Sequence, residues 1–231
     1  METETLWSWS YVAEILPILA GAAVVTIEAT LIGFVLAAVI GLVLAILRFA
    51  VPALRWPVAA FVEFIRSTPL LIQIFFLYFV FPEFGIVLDA FTAGVLALGV
   101  HYGAYCSEVY RAGLEAVPRG QWEAAVALNL DQTTTFRDII LPQALPPIVP
   151  ALGNYLVALF KETPLLSAIA VLELMQTAKI LGSETFRYNE PITLVGLFFL
   201  AMSLISAAEI SSVARSAAMP SSSSRMSRSS T

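Results

Sequence analysis

The feature that most constrains this sequence is the length of its apolar runs. Residues 15–50 are nearly all apolar and are broken by Glu28. A helix that crosses the hydrocarbon core of a bilayer needs about 20 such residues. The run therefore predicts one long tilted span at about 20–47, with an interfacial lead-in. Further runs cover about 56–81, 90–109, 143–160 and 192–210, with Glu63 and Arg66 in the first turns of the second. A shorter apolar piece at 165–175 suits either a re-entrant segment or a surface helix. The expectation is an all-α membrane protein of about five transmembrane helices. Hydrophobic residues make up 59% and charged residues 13%, against roughly 45–50% and 25% in soluble domains. That balance excludes a disordered chain, a nucleic-acid binder and an ordinary cytosolic enzyme.

Charge placement predicts the orientation. Nine of the twelve Lys and Arg residues are Arg48, Arg55, Arg66, Arg111, Arg119, Arg137, Arg215, Arg225 and Arg228. With five spans and the N-terminus outside, all nine fall on the cytoplasmic side, as the positive-inside rule requires. Lys161, Lys179 and Arg187 fall outside or within a span. The expected division is an extracytoplasmic N-terminus at 1–14, a transmembrane domain at 15–213, and a Ser-rich tail at 214–231. Such a tail buries too little to offset ordering entropy and is expected to be disordered. The first residues hold Glu2 and Glu4 and lack the basic n-region of a signal peptide.

Several chemistries find no support. One cysteine, Cys106, and one histidine, His101, leave no disulfide framework and no Cys- or His-based metal cluster. Neither lysine follows a glycine-rich turn, so no phosphate loop for ATP is present. His101 lies inside a predicted span, where a structural or path-lining histidine is favoured over catalysis. Transport is favoured over enzymatic chemistry.

The polar stretch at about 112–142 carries the most information. Pro118 suits the first turn of a helix. Residues 121–130 then read as a short helix with Trp122, Ala125, Val126, Leu128 and Leu130 as its apolar elements. Asn129 or Asp131 is a plausible stop, since Asn tolerates the left-handed conformation. Thr133 to Thr135 offer caps for a second helix through Phe136, Ile139 and Ile140, closed by Pro142. The apolar residues of this knob either dock onto a partner or pack against the underside of the bundle; the sequence alone leaves both open.

This stretch resembles the EAA loop of ABC importer permeases. The family pattern is EAA, three residues, Gly, nine residues, then I-x-L-P. Here Glu123-Ala124-Ala125 is followed at that spacing by Asn129 and by Ile139-Ile140-Leu141-Pro142. Asn in place of Gly is the one departure. Phe64-Ile65-Arg66-Ser67-Thr68-Pro69-Leu70-Leu71-Ile72-Gln73 is similar to the FxRxTPLLxQ stretch of polar amino-acid permeases. Gly103-Ala104-Tyr105, Glu108, Arg111-Ala112-Gly113 and Val117-Pro118-Arg119-Gly120-Gln121 resemble their third span and loop entry. Leu152-Gly153-Asn154 and Lys161-Glu162-Thr163-Pro164-Leu165 resemble their fourth. Residues 184–200 look similar to permeases for ectoine and hydroxyectoine.

The resemblance implies a MetI-like ABC importer permease fold in the cytoplasmic (inner) membrane. It implies a second permease subunit, alike or different, a docked dimer of ATPase subunits, and an extracytoplasmic substrate-binding protein. This chain would bind no cofactor itself; ATP and Mg would reside in the ATPase. The coupling residues would be Arg119, Gly120, Glu123, Ala124, Ala125, Asn129, Ile139, Leu141 and Pro142. Glu123 would make the polar contact, with Ala124 and Ala125 allowing close approach.

Ionisable and polar groups within spans mark candidate path residues. These are Thr68, Gln73, His101, Glu108, Lys161 and Glu162, with Lys161 and Glu162 read as a pair facing a zwitterionic ligand. Glu28 reads as structural, pairing with Arg66 or a neighbouring subunit. The alternative from another class is a secondary carrier or channel. Such carriers usually carry inverted repeats, and no duplication is visible here.

Overall fold

The computed structural model describes residues 7–218, with side chains described to residue 206. The remainder of the Ser-rich tail, 219–231, lies outside the described residues.

Helix α1 (Trp9–Ala50) would be about 63 Å long at 1.5 Å per residue, twice the roughly 30 Å of hydrocarbon. Its first part therefore needs protein for company. Ile15, Leu19, Ala22 and Ala23 pack against Leu174, Ala178 and Val195 of later helices. Its second part is built on small residues four apart: Ala29, Gly33, Ala37, Gly41 and Ala45, all buried. That stripe lies against α4 (Ala90–Glu115). Gly33 faces Leu98, Gly41 faces Cys106, and Arg48 pairs with Glu108, so the two helices run parallel. A Cβ at Gly41 would stand 2.6 Å from Cys106 Cβ and 2.9 Å from Gly103 O. Spacing of small residues at every fourth position is what lets membrane helices approach so closely.

The second apolar run is not one straight span. It forms a 3-10 turn (Pro52–Leu54), α2 (Arg55–Ser67) and α3 (Leu70–Phe75), which continues to Phe84. The two halves, Pro52–Ser67 and Leu70–Phe84, meet at a bend of 103°. The cause is Pro69, which lacks an N–H and pushes the residue before it into extended backbone; Thr68 sits at φ −104°, ψ 138°.

Two helices follow α4. Helix α5 (Arg119–Ala127) is short. After a turn, α6 (Gln132–Thr134) winds through a π-helical stretch (Thr135–Ile140) into α7 (Leu141–Glu162). The helix expected to close at Pro142 instead runs straight past it. Pro142 sits in the first turn of α7, where its missing N–H falls among groups that have no α-helical partner, and the π-helical stretch before it absorbs the change in hydrogen bonding.

The piece at 165–175 is not a surface helix; its first residues continue α7. A 3-10 stretch (Thr163–Ile169) ends at Ala170 in the left-handed conformation. Leu166, Ile169 and Val171 are buried in the central core. There follows α8 (Leu174–Thr185), an element the apolar runs do not reveal, and then α9 (Asn189–Ala218). At twelve residues, α8 reaches about 18 Å and is too short to cross.

Among the described residues, three stretches are long and apolar enough to span a membrane, Trp9–Ala50, Gln132–Ile169 and Asn189–Ser206, and the bent pair is a fourth where its two halves count as one broken span. Helix α4 completes the bundle. It is less apolar because its neighbours are protein: Ala93, Ala97, Leu98, Ala104 and Cys106 are almost fully buried.

Candidate functional site

Two polar regions stand out, at different levels of the bundle. The first lies on the face of α4 turned away from α1. The break at Pro69 frees backbone carbonyls at the end of α2, and Gln73 satisfies them. Its side-chain nitrogen donates to Ile65 O at 2.8 Å and to Thr68 Oγ1 at 2.6 Å. Its carbonyl oxygen lies 3.2 Å from His101 Nδ1. Three of the expected path residues, Thr68, Gln73 and His101, therefore form one connected cluster. Thr68 also donates to Phe64 O and Ile65 O, which is the local helix-ending geometry expected of a threonine there.

Aromatic rings extend this cluster. Tyr105 donates to Arg66 O, and the Arg66 guanidinium lies 5.2 Å from the Tyr105 ring centroid. Tyr102, Tyr105 and Tyr155 form a triad with ring centroids 5.6–6.1 Å apart. His101 meets Tyr102 edge-on and Tyr105 at a tilt, with ring centroids 5.5 Å and 5.3 Å away. Glu162 comes next to Tyr102, and its Oε2 is buried without a hydrogen-bond partner. An unpaired buried carboxylate oxygen is costly, and it is the one such atom beside the triad. Together these groups offer a carboxyl group, a guanidinium, several hydroxyls and π faces, which is a donor and acceptor set suited to a polar zwitterion.

Not every expected path residue joins them. Lys161 is exposed, because adjacent helical residues point about 100° apart, so it does not form the expected pair with Glu162. Glu108 lies about two turns beyond His101 along α4, where it takes ion pairs from Arg48 and Arg111, each at 2.6 Å. Glu28 is exposed, and Arg66 pairs with Glu63 at 3.7 Å rather than with Glu28. Tyr102 and Tyr155 belong to the cluster but carry no sequence motif that singles them out. Their spacing along α4 and α7 gains meaning only when the helices are packed.

The second region is the knob. Helix α5 ends in a Schellman arrangement: Leu130 N–H bonds Ala125 O at 3.1 Å and Asn129 N–H bonds Val126 O at 2.9 Å, with Asn129 at φ +54°. Asn is the best non-Gly residue for that backbone. Asp131 then caps the next helix through Thr134 N (3.0 Å) and Thr134 Oγ1 (2.6 Å). Those bonds hold its carboxyl below the usual aspartate range. The cap falls two residues before the expected Thr133 to Thr135.

The apolar residues of the knob divide between the two roles. Ala125 is fully buried, and Trp122 packs with Val117, Phe136, Ile140, Ala144 and Ile148 under the bundle. Ile139 is half-buried there, and Leu141 is half-buried just beyond it. Val126 and Leu128, by contrast, are 77% and 71% exposed. Arg119, Gly120, Glu123, Ala124, Asn129 and Pro142 are exposed beside them. Gln143 on α7 bonds Gln121 on α5, which ties the knob to the long helix behind it.

The family model for the binding-protein-dependent transport system inner membrane component matches residues 37–215. The chain belongs to this family. It is 46% identical, over 86% of its length and 87% of the relative's, to a probable amino-acid ABC transporter permease protein of Sinorhizobium fredii (strain NBRC 101917 / NGR234). It is 39% identical, over 73% and 72%, to the L-cystine transport system permease protein of Bacillus subtilis (strain 168). Among solved structures, an amino acid ABC transporter crystallised with histidines matches with a TM-score of 0.86 and 32% identity, over 90% of this chain and 98% of that one. The MetNI methionine transporter shares the fold, with a TM-score of 0.65 and 21% identity over 90% and 99%. The chain is thus an amino-acid ABC transporter permease subunit, a multi-pass protein of the inner membrane.

Proposed function

We propose that this permease moves a polar amino acid through the Arg66–His101–Tyr102–Tyr105–Tyr155–Glu162 cluster, driven by ATPase subunits docked on α5. The basic end of the bundle, with Arg48, Arg111 and Arg119, faces the cytoplasm, as the positive-inside rule requires. A second permease subunit and an external binding protein complete the importer, and ATP with Mg sits in the ATPase pair. The relatives named above are permeases for amino acids. None of them supports an ectoine ligand, so the broader substrate class stands.

The observation that carries this reading is mechanical. One helical run, α6 through α7, begins at the knob and ends at Tyr155 and Glu162. Helix α7 alone would span about 33 Å. A push on Val126 and Leu128 of the knob, passed to α7 through the Gln121–Gln143 contact, would displace Tyr155 and Glu162 relative to α4. This is the kind of rigid-element motion by which transporters alternate between states. Ala144 and Ile148 hold α7 against Gly113, where a Cβ would meet Ile148 Cγ1 at 2.3 Å, giving a close pivot near the knob.

The test is ATP-dependent uptake in proteoliposomes that contain the chain with its ATPase and binding-protein partners. Wild type is expected to accumulate a polar amino acid, and Glu162→Gln to lower uptake at least tenfold while the complex stays assembled. Full uptake by Glu162→Gln would remove the cluster from the path.

A further inference from the structure

At the basic end of the bundle, below the tyrosine cluster, lies a cleft of about 770 Å³. Its walls come from the end of α1 (Leu44, Ala45, Phe49), from Val58 of α2, and from Leu114, Val117 and Trp122. Its charged groups are Arg48, Arg55, Arg111, Arg119 and Glu115. Glu108 and Glu115 engage Arg48 and Arg111. Arg55 and Arg119 are exposed and have no carboxylate partner among the described residues. The cleft therefore holds an excess of positive charge over an apolar floor. Phe49 is 63% exposed beside it and touches Phe136 at a ring-centroid distance of 6.4 Å.

We propose that this cleft holds an anionic phospholipid from the cytoplasmic leaflet. Its phosphate sits between Arg55 and Arg119, and its first acyl carbons lie on Leu44, Phe49 and Val58. Three observations favour a lipid over a soluble anion. The cleft lies at the turn from α1 to α2, among Arg48, Phe49, Pro52 and Arg55, where the first apolar run ends. Its floor is apolar, which a free phosphate would not use. Basic pockets between membrane helices on the cytoplasmic side suit anionic headgroups, and each basic residue near the surface adds attraction. The lipid joins Arg55, on the fixed side, to Arg119, on the knob. A bound phosphate would hold α5 at a set distance from α1 and so tune coupling.

The experiment is native mass spectrometry of the importer complex released from nanodiscs of phosphatidylcholine with one fifth phosphatidylglycerol. The wild-type complex is expected to retain phosphatidylglycerol over phosphatidylcholine, and Arg55→Glu to reduce that preference at least fivefold. Arg55→Lys is expected to keep most of it, which controls for folding. Arg137→Gln, at an arginine outside the cleft, is expected to leave it unchanged. Equal retention of both lipids by wild type, or an unchanged preference in Arg55→Glu, would overturn the proposal. Thermal protection of the complex by inorganic phosphate equal to that by phosphatidylglycerol would overturn it in favour of a soluble anion. Retention by the permease alone that disappears when the ATPase docks would overturn it in favour of a protein contact.

Discussion

The two faces of α4 are built on opposite principles. Toward α1 it presents Gly99, Gly103 and Cys106, and the helices pack so closely that a Cβ at Gly99 would meet Leu36 at 2.5 Å. Among the described residues, the side-chain hydrogen bonds across this seam are Tyr110 Oη–H to Ala38 O at 3.3 Å and Arg48 to Glu108. Toward α3 and α7 it presents His101, Tyr102 and Tyr105, which meet a broken helix, a glutamine and a half-buried glutamate. One face is a seam with no room to move. The other consists of polar groups that can exchange partners. A transporter needs both, a frame that holds register and a path whose contacts can be remade.

The largest effect should come from breaking the seam. Gly41→Leu would drive a side chain into Cys106 Cβ and the backbone of Gly103 and Ser107. Overpacking of this kind costs about 1–3 kcal/mol or more, and here backbone cannot yield. Loss of monodisperse protein in detergent is expected. Gly21→Leu, where nothing lies within 4 Å of the added Cβ, should behave as wild type.

A smaller loss is expected on the polar face. Gln73→Leu leaves Thr68 O and His101 without the glutamine and takes one donor from Ile65 O, which keeps those from Thr68. Each unsatisfied buried group costs about 1–3 kcal/mol. The folded chain should survive with a lower melting temperature, and uptake should fall more than stability does. A variant as stable as wild type would show that the break at Pro69 does not depend on Gln73.

The smallest effect tests the knob. Asn129→Gly should be neutral or slightly stabilising. Asn129→Val forces a β-branched residue to φ +54° and should cost about 1–3 kcal/mol. The loss should show in thermal stability and in ATPase retention.

These contrasts also mark what the sequence discloses. The left-handed stop at Asn129 is legible because its chemistry is local. The break between α2 and α3 is written in Pro69, yet composition alone reads the run as continuous. Pro142 misleads in the other direction, since a stretch of π-helix before it carries the helix through. The small residues Ala29, Gly33, Ala37, Gly41 and Ala45 recur at every fourth position, a signal that reading the stretch as one apolar run passes over, and the α1–α4 seam shows its meaning. The buried acids were not legible. Glu173 caps α8 through Met175 and Gln176 N–H, and Glu190 accepts from Ser8 N–H and pairs with Arg187. Their partners are far in sequence or are backbone groups. The division of Lys161 and Glu162 likewise follows from which face of α7 meets α4, and that is a tertiary fact.

The central claim is that α5 couples an ATPase to this path. The most direct measurement is a detergent pull-down of the chain co-expressed with its partner ATPase, with and without Glu123→Arg. Co-purification with wild type and its loss in Glu123→Arg, from chains of equal yield, is the predicted result. Equal ATPase recovery with both chains, or none with either, would contradict it.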